Sequence, residues 1–123
     1  MKLNKQQREQ LKQKFGGRCA YCGDLLPDRW HADHVEPIVR NWTNGTCERP
    51  ENNRIDNFNP SCSSCNIVKN SLSLEGFRQL IGGFIKSLNR DSTQYKFAKR
   101  YGLLEEKDVE VSFYFEEVKK QSR

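Results

Sequence analysis

Four of the five cysteines in this 123-residue chain fall in two C-x-x-C pairs, Cys19-Ala20-Tyr21-Cys22 and Cys62-Ser63-Ser64-Cys65. Each pair can present two thiolates to one tetrahedral Zn²⁺ at ~2.3 Å. Four thiolates leave no open coordination position, so the pattern predicts a structural Zn²⁺ and places any catalysis elsewhere. The stretch between the pairs is longer than the ~15 to 20 residues of an ordinary zinc ribbon, so it is expected to be a folded insert pinned at both ends. Cys47, alone in a polar stretch, reads as a spare thiol.

The insert contains Trp30-His31-Ala32-Asp33-His34-Val35-Glu36-Pro37, and the second knuckle reads Asn57-Phe58-Asn59-Pro60-Ser61-Cys62-Ser63-Ser64-Cys65-Asn66-Ile67-Val68-Lys69. Together these residues resemble the zinc-knuckle branch of the HNH nuclease family. That branch carries Asp-His-hydrophobic-x-Pro, an Asn five residues before C-x-x-C, then His or Asn and a Lys. Each element alone is commonplace. Six of them in one register, from Arg18 to Lys69, are specific.

The resemblance implies a role for each matching position. Asp33 would be a ligand of a catalytic divalent cation, and His34 the general base that deprotonates water for attack on phosphorus. Asn57 would hold the loop backbone so that the imidazole stays in place. Asn66 stands where the family more often has a final His and would supply the second metal ligand through its amide oxygen. A carboxylate and an amide oxygen form a hard donor set, which favours Mg²⁺ or Mn²⁺. Two different metals are therefore expected. A cation on the phosphoryl oxygen and a base that titrates near neutrality are chemically sufficient for phosphodiester hydrolysis. The resemblance further implies 5′-phosphate and 3′-hydroxyl products and suggests a bacterial or phage origin; double-stranded DNA is the expected substrate, with RNA and branched forms left open.

Arg18 and Lys69 beside the knuckles are candidates for phosphate contact, the alternative being plain solvent exposure. His31 is open between a phosphate contact and a cap on the sheet, the second being preferred. The rival functional class is a non-catalytic zinc module that binds nucleic acid or protein, including a nuclease fold that no longer cuts. Only the nuclease needs Asp33, His34, Asn57 and Asn66 in register. A homodimer and a part in a larger nuclease or packaging assembly are both left open.

The elements that must position these groups follow from pattern. Residues 4–15 predict a weakly amphipathic helix ended by Gly16-Gly17. Arg29 to Val35 has near-strand period and stops at Pro37. Neighbouring Asp33 and His34 should face opposite sides of an extended chain, so the strand must end or bulge there. Residues 40–56 predict a long polar loop. A short helix is expected from Ser63 to about Asn70. Ser73 caps a longer one, with Leu74, Phe77, Leu80, Ile81, Phe84, Ile85 and Leu88 as a core stripe. Gly82-Gly83 predicts a kink or close contact within it. Ser92 or Thr93 starts a last helix closed by Gly102, and alternation over Val109, Val111, Phe113 and Phe115 predicts a strand buried on one face.

The expected fold is α+β: a ββα-metal core stapled by a four-cysteine zinc site, with C-terminal helices and a strand. One domain spans 1–123, its HNH core 18–70 and its extension 71–123. With 35% hydrophobic and 30% charged residues, the chain has a thin core that the zinc can supplement. Residues 1–18 carry six basic groups against one acidic, 19–60 four against seven, 61–100 seven against two, and 101–123 four against six. An acidic middle between basic blocks suits a cation site flanked by polyanion-binding surface, although a net charge of +5 also serves solubility. The N-terminus lacks an apolar leader and no run could span a bilayer, so a cytoplasmic protein without membrane contact is expected.

Overall fold

A computed structural model describes residues 2–41 and 44–121; Trp42 and Thr43 of the expected 40–56 loop lie outside them. The chain opens with helix α1, Lys5–Lys12, continued by a 3-10 turn, Gln13–Phe15. Asn4 Oδ1 accepts from Gln7 N at 2.8 Å while Asn4 N donates to Gln7 Oε1 at 3.0 Å, a capping box that satisfies donors otherwise orphaned at the helix start. Gly16 then takes the left-handed conformation, φ 65, that ends the helix.

Strand β1, His31–His34, pairs antiparallel with β4, Phe58–Ser61, in the register His31 to Ser61, Ala32 to Pro60, Asp33 to Asn59 and His34 to Phe58. Pro60 is tolerated because β4 meets only one strand, and its carbonyl accepts from Ala20 N at 2.9 Å in the first knuckle. Between β1 and β4 the chain is less irregular than expected. It contains a small hairpin, β2 (Arg40–Asn41) with β3 (Thr46–Cys47), and two 3-10 turns, Pro50–Asn52 and Ile55–Asn57.

Helix α2, Ser63–Lys69, starts on the second knuckle itself: Cys62 is its N-cap, and Cys62 Sγ accepts from Cys65 N at 3.4 Å. The β1–β4 pair and this helix make the ββα unit. The extension follows as α3 (Leu74–Gly82), α4 (Phe84–Asp91), α5 (Thr93–Arg100) and α6 (Tyr114–Gln121). Ser73 Oγ caps α3 and Ser92 Oγ caps α5.

Two small cores result. Cys19, Tyr21, Phe77 and Phe113 form one, with Leu74, Ile81, Val111 and Phe115 packed around it; Leu11, Trp30 and Phe58 form the other. Tyr21 meets Phe77 and Phe113 edge-on, with centroids 5.6 and 5.5 Å away. The extension thus packs against the first zinc knuckle.

Two sequence expectations need correction. The stripe from Leu74 to Leu88 is core only in its first half: Phe77 is buried, but Leu80, Phe84, Ile85 and Leu88 are exposed. Gly83 separates α3 from α4, and the apolar residues Phe84, Ile85 and Leu88 of α4 stay exposed. Among the described residues the expected C-terminal strand is absent as well. Only residues 111–113 alternate, with Val111 half-buried, Ser112 exposed and Phe113 buried; Val109 is exposed, and the segment forms no ladder with a described strand. Backbone bonds from Tyr114 N to Tyr21 O and from Phe115 N to Ala20 O pin the chain to the knuckle, and it turns into α6 at Tyr114.

Candidate active site and zinc centre

The knuckles bring Cys19, Cys22, Cys62 and Cys65 together, with their sulfurs all within 4.8 Å of one another. Four sulfurs at ~2.3 Å around a tetrahedral ion lie about 3.8 Å apart, and Cys22 Sγ and Cys62 Sγ are separated by 3.9 Å. The first turn is held by Cys19 N to Asp24 O at 2.8 Å and Gly23 N to Cys19 O at 3.0 Å. Gly23 has φ +81, and a Cβ there would press on the Tyr114 ring at 3.0 Å. Donation from Cys65 lowers the pKa of the Cys19 thiol, while burial raises that of Cys22. The four cysteines are positioned to form a zinc site; Cys47 lies outside the cluster.

Above the knuckles, β1 ends at His34 without a bulge, because its pairing with β4 is regular through Asp33 and His34. Strand alternation alone would turn the two side chains apart, but β1 ends at His34 and both residues border the same cavity. Asp33 is 6% exposed. Its Oδ2 accepts from the Tyr21 hydroxyl at 2.5 Å and lies 3.1 Å from Lys69 Nζ. Burial pushes the Asp33 carboxyl up, opposed by the Lys69 ammonium and the Tyr21 hydroxyl. Burial, with the charge of Asp33, raises the Tyr21 phenol far above its ordinary value, so it stays a donor.

The His34 ring lies 4.6 Å from that of Phe58, and Nε2 meets Asn53 Oδ1 at 3.0 Å. With Oδ1 as the acceptor, Nε2 carries the proton and Nδ1 keeps the lone pair. Nothing in the sequence singles out Asn53; within a loop rich in asparagine, spacing gives it no mark. Asn57 is buried and binds backbone on both sides of the site. Its Nδ2 donates to Glu36 O at 2.8 Å and Asn52 O at 2.7 Å, and its Oδ1 accepts from Glu36 N at 3.1 Å. Val35 N to Asn57 O, 2.8 Å, completes the staple.

Asp33, His34 and Asn66 border one open, polar cavity of about 420 Å³, together with His31. Arg18 is not part of it: its Nη1 donates to Gly23 O at 2.9 Å and braces the first knuckle. Lys69 corrects a further expectation. It is fully buried, and its ammonium donates to His34 O at 2.8 Å besides pairing with Asp33, so it is not placed to touch a phosphate. A buried ammonium requires a carboxylate and a carbonyl, and β1 supplies both.

Residues 19–72 match the family model described as HNH endonuclease. The antiparallel strand pair, the following helix and the four-cysteine cluster are consistent with an HNH ββα-metal fold over this segment. Comparison with curated proteins and with solved structures finds no match. Among the described residues no helix is long and apolar enough to cross a membrane.

Proposed function

We propose that the protein is a metal-dependent endonuclease that hydrolyses phosphodiester bonds of double-stranded DNA. The observation that carries this reading is the meeting of Asp33, His34 and Asn66 around one cavity, in the domain whose family is named for endonuclease activity. Asp33 Oδ1, the oxygen not engaged by Tyr21 and Lys69, and the amide oxygen of Asn66 would hold Mg²⁺ or Mn²⁺. A cation held there would supply Lewis-acid stabilisation of the charge that develops during phosphodiester hydrolysis.

The remaining chemistry belongs to the chain. His34 Nδ1 accepts a proton from water, the resulting hydroxide forms the new bond to phosphorus, and the bond to the 3′-oxygen breaks as that oxygen takes up a proton from solvent water. Asn53 fixes the tautomer, and Asn57 keeps the two loop segments from drifting. Lys69 fixes the end of β1 by holding both the His34 carbonyl and the Asp33 carboxylate.

The test is incubation of zinc-loaded protein with supercoiled plasmid and Mg²⁺ or Mn²⁺, beside His34→Ala. Nicked or linear product from the parent and little from the variant is expected. Equal cutting by both would remove His34 from the chemistry, and intact plasmid throughout would favour a non-catalytic zinc module.

A further inference from the structure

The cavity has a wall that does not come from the HNH segment. Arg8, on α1 and outside residues 19–72, borders it, as does Arg40 at the start of β2. The Arg8 guanidinium lies 4.2 Å above the Trp30 ring, and Nη2 donates to Trp30 O at 3.4 Å. Trp30 is itself buried against Leu11 of the same helix and Phe58 of β4. These contacts order the guanidinium without neutralising it and occupy one of its five N–H donors.

Among the described residues neither Arg8 nor Arg40 lies within ion-pair distance of a carboxylate, whereas Arg54, Arg78 and Arg90 do. The one carboxylate on the cavity wall, Asp33, is already paired with Lys69. The cavity mouth is thus cationic. Val39, just before Arg40, adopts φ 52, a costly left-handed backbone for a β-branched residue. Bonds from Glu48 N to Val39 O and Arg49 N to Ile38 O, both 2.9 Å, hold the chain there.

We propose that Arg8 and Arg40 clamp backbone phosphates of duplex DNA at this cavity, so that the N-terminal helix is part of the substrate grip. The inference rests on the nuclease reading and adds to it a helix that the HNH segment does not contain. Phosphate contacts by arginine position a duplex without reading its sequence, and each one releases counterions, so it leaves a mark on the salt dependence of binding.

The experiment is fluorescence anisotropy of a labelled duplex of about 30 base pairs with zinc-loaded protein and no added Mg²⁺ or Mn²⁺, across a salt series. Arg8→Ala and Arg40→Ala are compared with Arg8→Lys and with Lys107→Ala, which removes the same charge away from the cavity. Each alanine variant at the cavity is expected to weaken binding roughly 10-fold and to lower the salt slope by about 1. Arg8→Lys should keep most of the slope, and Lys107→Ala should change little.

Loss of thermal stability in Arg8→Ala with affinity and slope unchanged would mean that Arg8 only packs on Trp30, and would overturn the inference. Arg40→Ala, at an exposed position, gives an independent reading if Arg8→Ala folds poorly; unchanged binding there removes the clamp. A parent protein that cuts DNA while all variants bind alike would sink this inference alone. A parent that neither binds nor cuts would sink the nuclease reading with it.

Discussion

The zinc centre and the cavity above it share one strand pair and differ in how finished they are. Four sulfurs already lie within 4.8 Å of one another on two rigid turns, so the soft-metal site is complete in donor number and spacing. The cavity holds its carboxylate half-committed, with one oxygen given to Tyr21 and Lys69, and leaves space for further groups. A site that only has to hold a fold can be closed; a site that has to turn over a substrate needs open coordination and polar walls. Tyr21 joins the two, since it stands between Cys19 and Cys22 and its hydroxyl reaches Asp33.

Breaking the closed site should have the largest effect. Removal of zinc by chelation, or Cys62→Ser, is expected to abolish cooperative thermal unfolding followed by circular dichroism, because structural zinc contributes on the order of 10 kcal/mol in small domains. Cys47→Ser, outside the cluster, should leave zinc content and melting unchanged.

Breaking the open site should leave the fold standing and remove the chemistry. His34→Ala gives up one hydrogen bond and one ring contact, and is expected to lower the cleavage rate by roughly 10²- to 10⁴-fold with little change in melting. A large drop in melting temperature would instead make His34 a structural residue.

The link between the two sites sharpens the comparison. Lys69→Met strands a buried carboxylate and should destabilise the protein by about 3–5 kcal/mol in urea unfolding, while zinc stays bound. A change below about 1 kcal/mol would show that the pair does not hold β1.

The smallest effect is expected in the extension. Arg78 forks onto Glu116 through Nη1 and Nη2 at 2.8 and 2.7 Å and reaches Val111 O at 2.8 Å. These hydrogen bonds hold the Glu116 carboxyl below its ordinary value. The stability from this pair is therefore full above the ordinary carboxylate range and is lost as pH falls through the lowered folded value. Glu116→Gln should cost about 1–2 kcal/mol at neutral pH and flatten the acid limb of a stability-against-pH curve. An unchanged limb would mean that the fork does not anchor α6.

How much of this is legible in the sequence follows the same division. Cysteine spacing is readable because ligand chemistry fixes residue type and separation, whereas the Asp33 to Lys69 register is readable only as a resemblance to a family pattern. Inward and outward are not readable at Lys69, where a charged side chain finds its partners 35 and 36 positions away, on His34 and Asp33. Alternation at Val109 to Phe115 reports a one-sided contact only from Val111 onward and not its partner; Val109 is exposed, and Tyr114 and Phe115 bind the knuckle through Tyr21 O and Ala20 O rather than pairing with a strand. The Gly82-Gly83 break is visible, whereas the exposure of the α4 apolar residues after it depends on where the chain goes next.

The central claim is that Asp33 and Asn66 share one hard cation beside His34. Titration of Mn²⁺ into zinc-loaded protein, followed by electron paramagnetic resonance, tests it without any turnover. One Mn²⁺ per chain is expected for the parent, with binding lost or greatly weakened in both Asp33→Asn and Asn66→Ala while zinc content stays constant. Mn²⁺ bound equally well by the parent and both variants, or by none of them, would contradict it.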